Sequence, residues 1–204
     1  MTIGKGSTWG SAIPRPADLD VVHADADLAD ALSDGIDDAH VAVQGGDLWR
    51  TLGARTLGDR SELQRMPIDL VDVILDDGVV RTSVAHVVAH EITGRGGIWR
   101  GPVAAVMNAE WVGEFDVAPR GHPNDGRVEL VRLDPTVGIR QRLAIRRRMR
   151  TGSHLPHPGI TVRPVREHMV EFDRPLVVRI DGRPMGRSAT MSLRVRPDAA
   201  HVLT

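Results

Sequence analysis

Residues 116–133 read DVAPRGHPNDGRVELVRL. Between two apolar segments this stretch packs Pro119, Gly121, Pro123, Asn124, Asp125 and Gly126, more turn-forming residues than an ordinary connection needs. His122 and Asp125 sit inside it. Read from the residues alone, Asp125-Gly126 turns the chain, with Asn124 helping. His122, His154 and His157 lie in turn-like segments of the same half, and three imidazoles could bind zinc or another transition metal. None of them shows the helical i, i+4 pairing of a strong metal motif. Glu91, Glu110 and Asp116 offer carboxylates for acid–base work, although no spacing fixes their separation. Trp49, Trp99 and Trp111 read as core or interface anchors.

The densest charge lies in RQRLAIRRRMR, where Arg140, Arg142, Arg146, Arg147, Arg148 and Arg150 fall on one predicted helix. At about 100° per residue they cover more than half the cylinder, leaving Ile139, Leu143, Ile145 and Met149 for the core. Such arginines form either a solvated helix end that favours the macrodipole or a patch for anionic lipid headgroups, worth about 1 kcal/mol per basic residue near such a surface. Nucleic acid fits less well, because aromatics that could stack bases are few.

The elements that must position these groups change character near residue 65. LDVVHA and AHVAVQ read as strands, and DADLADALSD and GDLWRTLG as helices, the second closed by Gly53. This is a strand–helix–strand–helix fragment of a parallel sheet. After Met66 the pattern is β: a hairpin at Asp76-Asp77-Gly78, then GPVAAVMNAEWVG, GRVELVRL, ITVRPV, PLVVRIDG and SATMSLRVRP. The basic helix is the single interruption. The expected fold class is α+β, with an α/β remnant over residues 1–65 and a β-rich, sandwich-like domain over 66–204 carrying that helix. Residues 1–17 read as an arm or loop.

Bulk composition narrows the function classes. A chain of 204 residues can bury a full core, and it contains no cysteine, which excludes disulfides and thiolate chemistry. No apolar run is long enough to span a bilayer. The N-terminus lacks the apolar stretch of a signal peptide, so a cytoplasmic place is expected, with peripheral association at the inner membrane surface. The net charge is −1. The first sixty residues are acidic through Asp18, Asp20, Asp25, Asp27, Asp30, Asp34, Asp37 and Asp38. Lys5 is the one lysine, so the body of the fold has none to hold a phosphate or form a Schiff base.

Several strings resemble the diacylglycerol kinase and sphingoid lipid kinase family, within the NAD kinase/diacylglycerol kinase-like superfamily. VMNAEWVGEFDVAPRGHPNDGRVELVRL is similar to its run of Asn-Gly turn, Ala-Pro, Asp-Gly and strand, with Asn108, Gly113, Ala118, Pro119, Asp125 and Gly126 on the pattern. RRRMRTGSHLPHPGITVRPVREHMVEF resembles the helix, Gly-x-His and strand that follow. PLVVRIDGRPMG resembles the late Asp-Gly-Glu turn, and SLRVRPDAAHVL the closing strands. Order and spacing agree from about residue 66 to the end. Upstream, VQGGDLWRTLGA is similar to the Gly-Thr-Gly-Asn-Asp segment, keeping Gly46, Asp47, Arg50, Leu52 and Gly53. His23-Ala24-Asp25-Ala26-Asp27-Leu28 stands where the family has its Gly-Gly-Asp-Gly-Thr nucleotide loop.

The resemblance implies an ATP- and magnesium-dependent lipid kinase, with Asp25, Asp27, Gly45, Gly46, Asp47 and Asn108 around the ligand and Asp125 as a water-mediated metal contact. Two departures weigh against activity. Glycines in a phosphate loop let the backbone approach oxygen atoms, and the initial pair is lost. Arg183 stands where the family has the glutamate implied as base, and an arginine cannot accept a proton at working pH. The expectation is therefore a non-catalytic relative, a pseudokinase, that binds an anionic lipid or phosphorylated small molecule through Arg183, Arg146 and Arg147, or that acts as a regulatory partner. A homodimer is expected from the open edge of the shortened sheet. Magnesium and ATP enter only under the alternative of an active lipid kinase.

Overall fold

The computed structural model describes residues 9–33 and 40–204. Asp34, Asp37, Asp38, Lys5 and residues 1–8 of the expected arm lie outside the described residues. The rest of that arm contains a strand, β1 (Ser11–Pro14), which pairs antiparallel with β4 (Glu62–Ile74). This corrects the reading of residues 1–17 as arm or loop. Arg15 continues the tie through Ser61 and Gly58, bonds that a propensity reading cannot see.

The α/β segment follows the apolar pattern. β2 (Asp20–Val22) and β3 (Val41–Val43) pair in parallel, joined through α1 (Asp25–Ser33). After β3 comes α2 (Gly46–Thr51). Leu28 of α1 and Leu48 of α2 are fully buried against Val41, Val43, Ile68, Val84 and Val202. Each such side chain stabilises the fold by about 1.5–3 kcal/mol.

The remaining chain is β-rich. β5 (Val80–Ser83) forms the expected hairpin with β4, with Gly78 at positive φ in the turn. Then follow β6 (His86–His90), β7 (Val103–Met107), the small hairpin of β8 (Trp111–Val112) and β9 (Phe115–Asp116), β10 (Val128–Leu133), α3 (Ile139–Met149), β11 (Ile160–Val165), β12 (Glu167–Ile180) and β13 (Arg183–Leu203). Among the described residues the main sheet has eleven strands, with the order β1-β4-β13-β12-β6-β7-β10-β11 and with β2, β3 and β5 attached at the side. Every pairing along that order is antiparallel, and a bulge between Arg196 and Ala200 bends β13. The curled sheet closes over Val71, Val87, Val106, Leu130, Leu176 and Leu193. The class is α+β with a dominant sandwich-like β part. β4 runs through residue 65, and the end of β13 pairs in parallel with β3 at Leu203 and Ala42, so the two segments share one sheet.

Helix α3 sits differently from its hydrophobic pattern. Arg142, read as solvated, is 3% exposed, whereas Ile139 and Leu143, read as core, are 43% and 48% exposed. Of the expected core set, Ile145 is buried and Met149 half-buried. The reason is local. The Arg142 guanidinium donates to the carbonyls of Val137, Ile98, Gly101 and Asp134, where the loops beneath the helix present acceptors that no strand satisfies. That anchor turns Arg142 inward and carries Ile139 and Leu143 outward.

Candidate functional site

Two carboxylates and one imidazole meet where α1, α2 and the start of β6 converge. Asp25 opens α1, Asp47 lies in the first turn of α2 and His86 begins β6. One ligand atom from each of the three lies within 4.8 Å of the others. The His86 Nε2–H donates to Asp47 Oδ2 at 2.8 Å, and Asp47 Oδ1 accepts the Gly113 amide. Asp25 accepts the amides of Asp47 at 2.7 Å and Leu48 at 3.0 Å.

The glycines make this closure possible. Gly45 passes so close to the His23 carbonyl that a Cβ would overlap it, and a Cβ on Gly46, at φ +85°, would overlap the Asp25 carboxylate. Both glycines are thus used to bring two protein loops together.

His86 is held in place by a second carboxylate. Asp181, in the turn between β12 and β13, accepts the Ser83 hydroxyl and the amides of Val84, Ala85 and His86. The Asp181-Gly182 turn therefore fixes the β5–β6 link. Asp25 is 5% exposed, and burial raises its carboxyl to about 6 against the pull of two amide bonds, with Asp181 and Asp47 adding repulsion. His86 is equally buried. Burial pulls its imidazole down, but Asp47, Asp181 and Asp25 outweigh that and hold it above its ordinary value.

The Asp125 stretch forms a separate corner. Asp69, buried on β4, accepts the amides of Gly126 and Asp198, and its own amide donates to the Pro123 carbonyl. The Asn108 amide nitrogen donates to the carbonyls of Asp69 and Val84, and Asn124 donates to Asp198. The unusual turn chemistry of residues 119–126 therefore docks this loop onto a buried acid. Asp125 faces Arg127 at 3.9 Å and caps its own turn through the Arg127 amide. It stands beside Asp69 and not in the Asp25–Asp47–His86 group.

The remaining expected residues scatter. Arg183 reaches back to α1, with nitrogens 2.7 Å from Asp30 and 3.4 Å from Asp27. Arg146 lies over the rings of Phe115 and Trp99 and near Glu114, and Arg147 is exposed. His122 packs at a tilt against Trp9 and accepts the Asn124 amide. His154 is buried with Nε2 against the Val117 carbonyl, and His157 accepts the Gly159 amide. These three histidines do not converge on a common point. Glu110 is pushed up by burial and by Asp116, so this carboxylate pair is adjacent. Glu91 instead pairs with Arg174. Sequence reading missed His86, whose only signal is its place at the start of an alternating run.

Residues 74–204 match the family model of the YegS C-terminal NAD kinase beta sandwich-like domain. The chain belongs to that family. The YegS-type region takes in the β-rich part from the end of β4 onward, including α3, His86 and the Asp125 loop. No curated protein matches the chain. Among solved structures, a protein of Bacillus anthracis str. Sterne provisionally named a diacylglycerol kinase superposes with a TM-score of 0.57 at 13% identity, over 79% of this chain and 68% of that one. A second diacylglycerol kinase structure from the same organism gives a TM-score of 0.54 at 13% identity, over 79% and 65%. The likeness establishes a lipid-kinase-like fold for this YegS-type chain. Its described helices include none long and apolar enough to cross a membrane.

Proposed function

We propose that this protein is a non-catalytic, lipid-kinase-like module that docks on an anionic lipid surface through helix α3. The observation that carries the reading is the outward face of that helix. Arg140, Leu143, Ala144 and Arg147 are all exposed on one side, flanked by Ile139 and Arg148. Arg140, Arg147 and Arg148 make no ion pair among the described residues, whereas Arg146 and Arg150 face Glu114. Apolar side chains set between unpaired arginines suit the boundary between headgroups and acyl chains. Arg147 thus keeps the role expected for it, and Arg146 gives way to Arg140.

The fit to Mg-ATP is poor. The amides of Asp47 and Leu48, which a phosphate cradle would need, already bind the Asp25 carboxylate. The buried Asp25 and half-buried Asp47 there repel a triphosphate. Arg183 stands in the place of a base and is engaged by Asp27 and Asp30. No phosphoryl-transfer step is assigned to these residues.

Sedimentation with vesicles containing phosphatidylglycerol tests the reading. Each basic residue near such a surface contributes about 1 kcal/mol, so the double variant Arg140→Ala/Arg147→Ala should weaken binding roughly thirtyfold. Neutral vesicles should bind neither protein. Saturable Mg-ATP binding by calorimetry, with phosphoryl transfer to a lipid that disappears in Asp125→Ala, would establish the active kinase instead.

A further inference from the structure

The structure assigns a transition-metal site to Asp25, Asp47 and His86: we propose that it binds one divalent zinc-class cation through one imidazole nitrogen and two carboxylate oxygens. This goes beyond membrane docking and does not depend on it.

The first argument is charge. Asp25, Asp47 and Asp181 crowd one largely buried corner. Among the described residues no arginine forms an ion pair with Asp25 or Asp47, so the nearest counter-charge is a protonated His86. Buried charges are normally paired or coordinate a metal. Asp181 has its oxygens filled by four donors, whereas Asp25 and Asp47 each hold fewer and keep lone pairs to give.

The second argument is ligand type. Magnesium and calcium favour all-oxygen sites, and an imidazole nitrogen shifts preference to zinc and its neighbours. The three candidate atoms lie within 4.8 Å, so a modest approach brings them into one coordination shell. The two carboxylates are fixed from behind, Asp25 by the α2 amides and Asp47 by the Gly113 amide, and the His86 backbone is held by Asp181 while its ring Nδ1 is buried without a hydrogen-bond partner. Such support is what orients metal ligands. Asp47 is the more exposed member, so the fourth position opens toward solvent, as in zinc sites with three protein ligands.

The test uses the full chain, stripped with a chelator and titrated with zinc chloride by calorimetry. One equivalent should bind, and a large excess of magnesium should not displace it. His86→Ala and Asp47→Asn should each weaken binding by more than the roughly 10–100-fold that loss of an outer-shell partner costs. His154→Ala and His157→Ala should leave it unchanged. X-ray absorption at the zinc edge of the unaltered protein keeps the proposal open to refutation if a variant fails to fold. A shell with one imidazole and carboxylate oxygens supports it. A shell of two or more imidazoles, unchanged binding in His86→Ala, or equal competition by magnesium marks an adventitious ion only and overturns it.

Discussion

Two regions of this molecule handle excess charge in opposite ways. At the α1–α2 corner, acids are turned inward: Asp25 and Asp47 close on backbone amides and on His86, and glycines permit the contact. On α3, arginines are turned outward, and one of them, Arg142, is withdrawn to hold the helix down. The corner therefore has the amides of Asp47 and Leu48 filled and its charge unbalanced, whereas the outer helix face has its charge exposed and, for Arg140, Arg147 and Arg148, no ion pair among the described residues. The difference teaches that ligand sites of different chemistry can be separated by what the fold has already satisfied. A corner that fills its own amides is closed to phosphate and open to a cation. A face that leaves three arginines unpaired remains available to anions.

The largest expected effect comes from removing the helix anchor. Arg142→Leu strips a buried cation from four carbonyls. Leaving several buried acceptors unmatched costs roughly 1–3 kcal/mol each before relaxation. The expected loss is about 3 kcal/mol in urea unfolding. It should be accompanied by weaker vesicle binding even though Arg142 does not face outward. Vesicle binding that survived the destabilisation would break the link between anchor and face.

Part of this arrangement was legible in the sequence. The element order, the Asp-Asp-Gly hairpin and the lone helix follow from periodicity and turn residues, because those signals are local. The rotation of α3 was not, since it depends on which loop carbonyls lie beneath Arg142, a tertiary fact. Likewise Asp125 drew attention because it sits among turn formers, while the acid that organises that loop is Asp69, fifty-odd residues upstream within an ordinary strand. His86 was silent for the same reason: its partners arrive from α2 and from the β12–β13 turn.

The second effect sharpens the inward half through pH. Asp25 titrates near 6 in the folded chain against 3.8 ordinarily. A carboxyl raised by folding adds stability below its unfolded value and loses it as pH rises through the folded one. A shift of that size corresponds to up to about 3 kcal/mol. His86, held above its usual range, acts in the same direction. Asp76 and Asp77, held to about 2 by hydrogen bonds from Ala189 and Thr190 and from Arg81, act oppositely as pH falls toward 2. Metal-free protein should therefore unfold most reluctantly just above the ordinary carboxylate range and less so toward neutrality. In Asp25→Asn that decline should flatten.

A smaller effect isolates the close approach of the two loops. Gly46 and Gly53 both have positive φ, but only at Gly46 would a Cβ meet protein, the Asp25 carboxylate. Gly53→Ala tests backbone strain alone, about 1 kcal/mol. Gly46→Ala adds the steric displacement of Asp25 and should cost about 2–3 kcal/mol. Equal losses in thermal unfolding would mean that the loops can separate without penalty, and the corner would then not be closed.

The smallest effect falls on Arg183, the residue whose place in the Asp-Gly turn made it a candidate anion contact. Its guanidinium is exposed and already lies beside Asp27 and Asp30. Exposed pairs of this kind contribute about 0–1 kcal/mol, so Arg183→Ala should shift the unfolding midpoint barely at all. Any anion approaching Arg183 must also approach those two acids, which offset the attraction. Vesicle binding should accordingly be unchanged in Arg183→Ala while it falls in Arg140→Ala/Arg147→Ala. If the two variants lost binding equally, the anion surface would extend from α3 to the corner, and the division between inward acids and outward arginines would not hold.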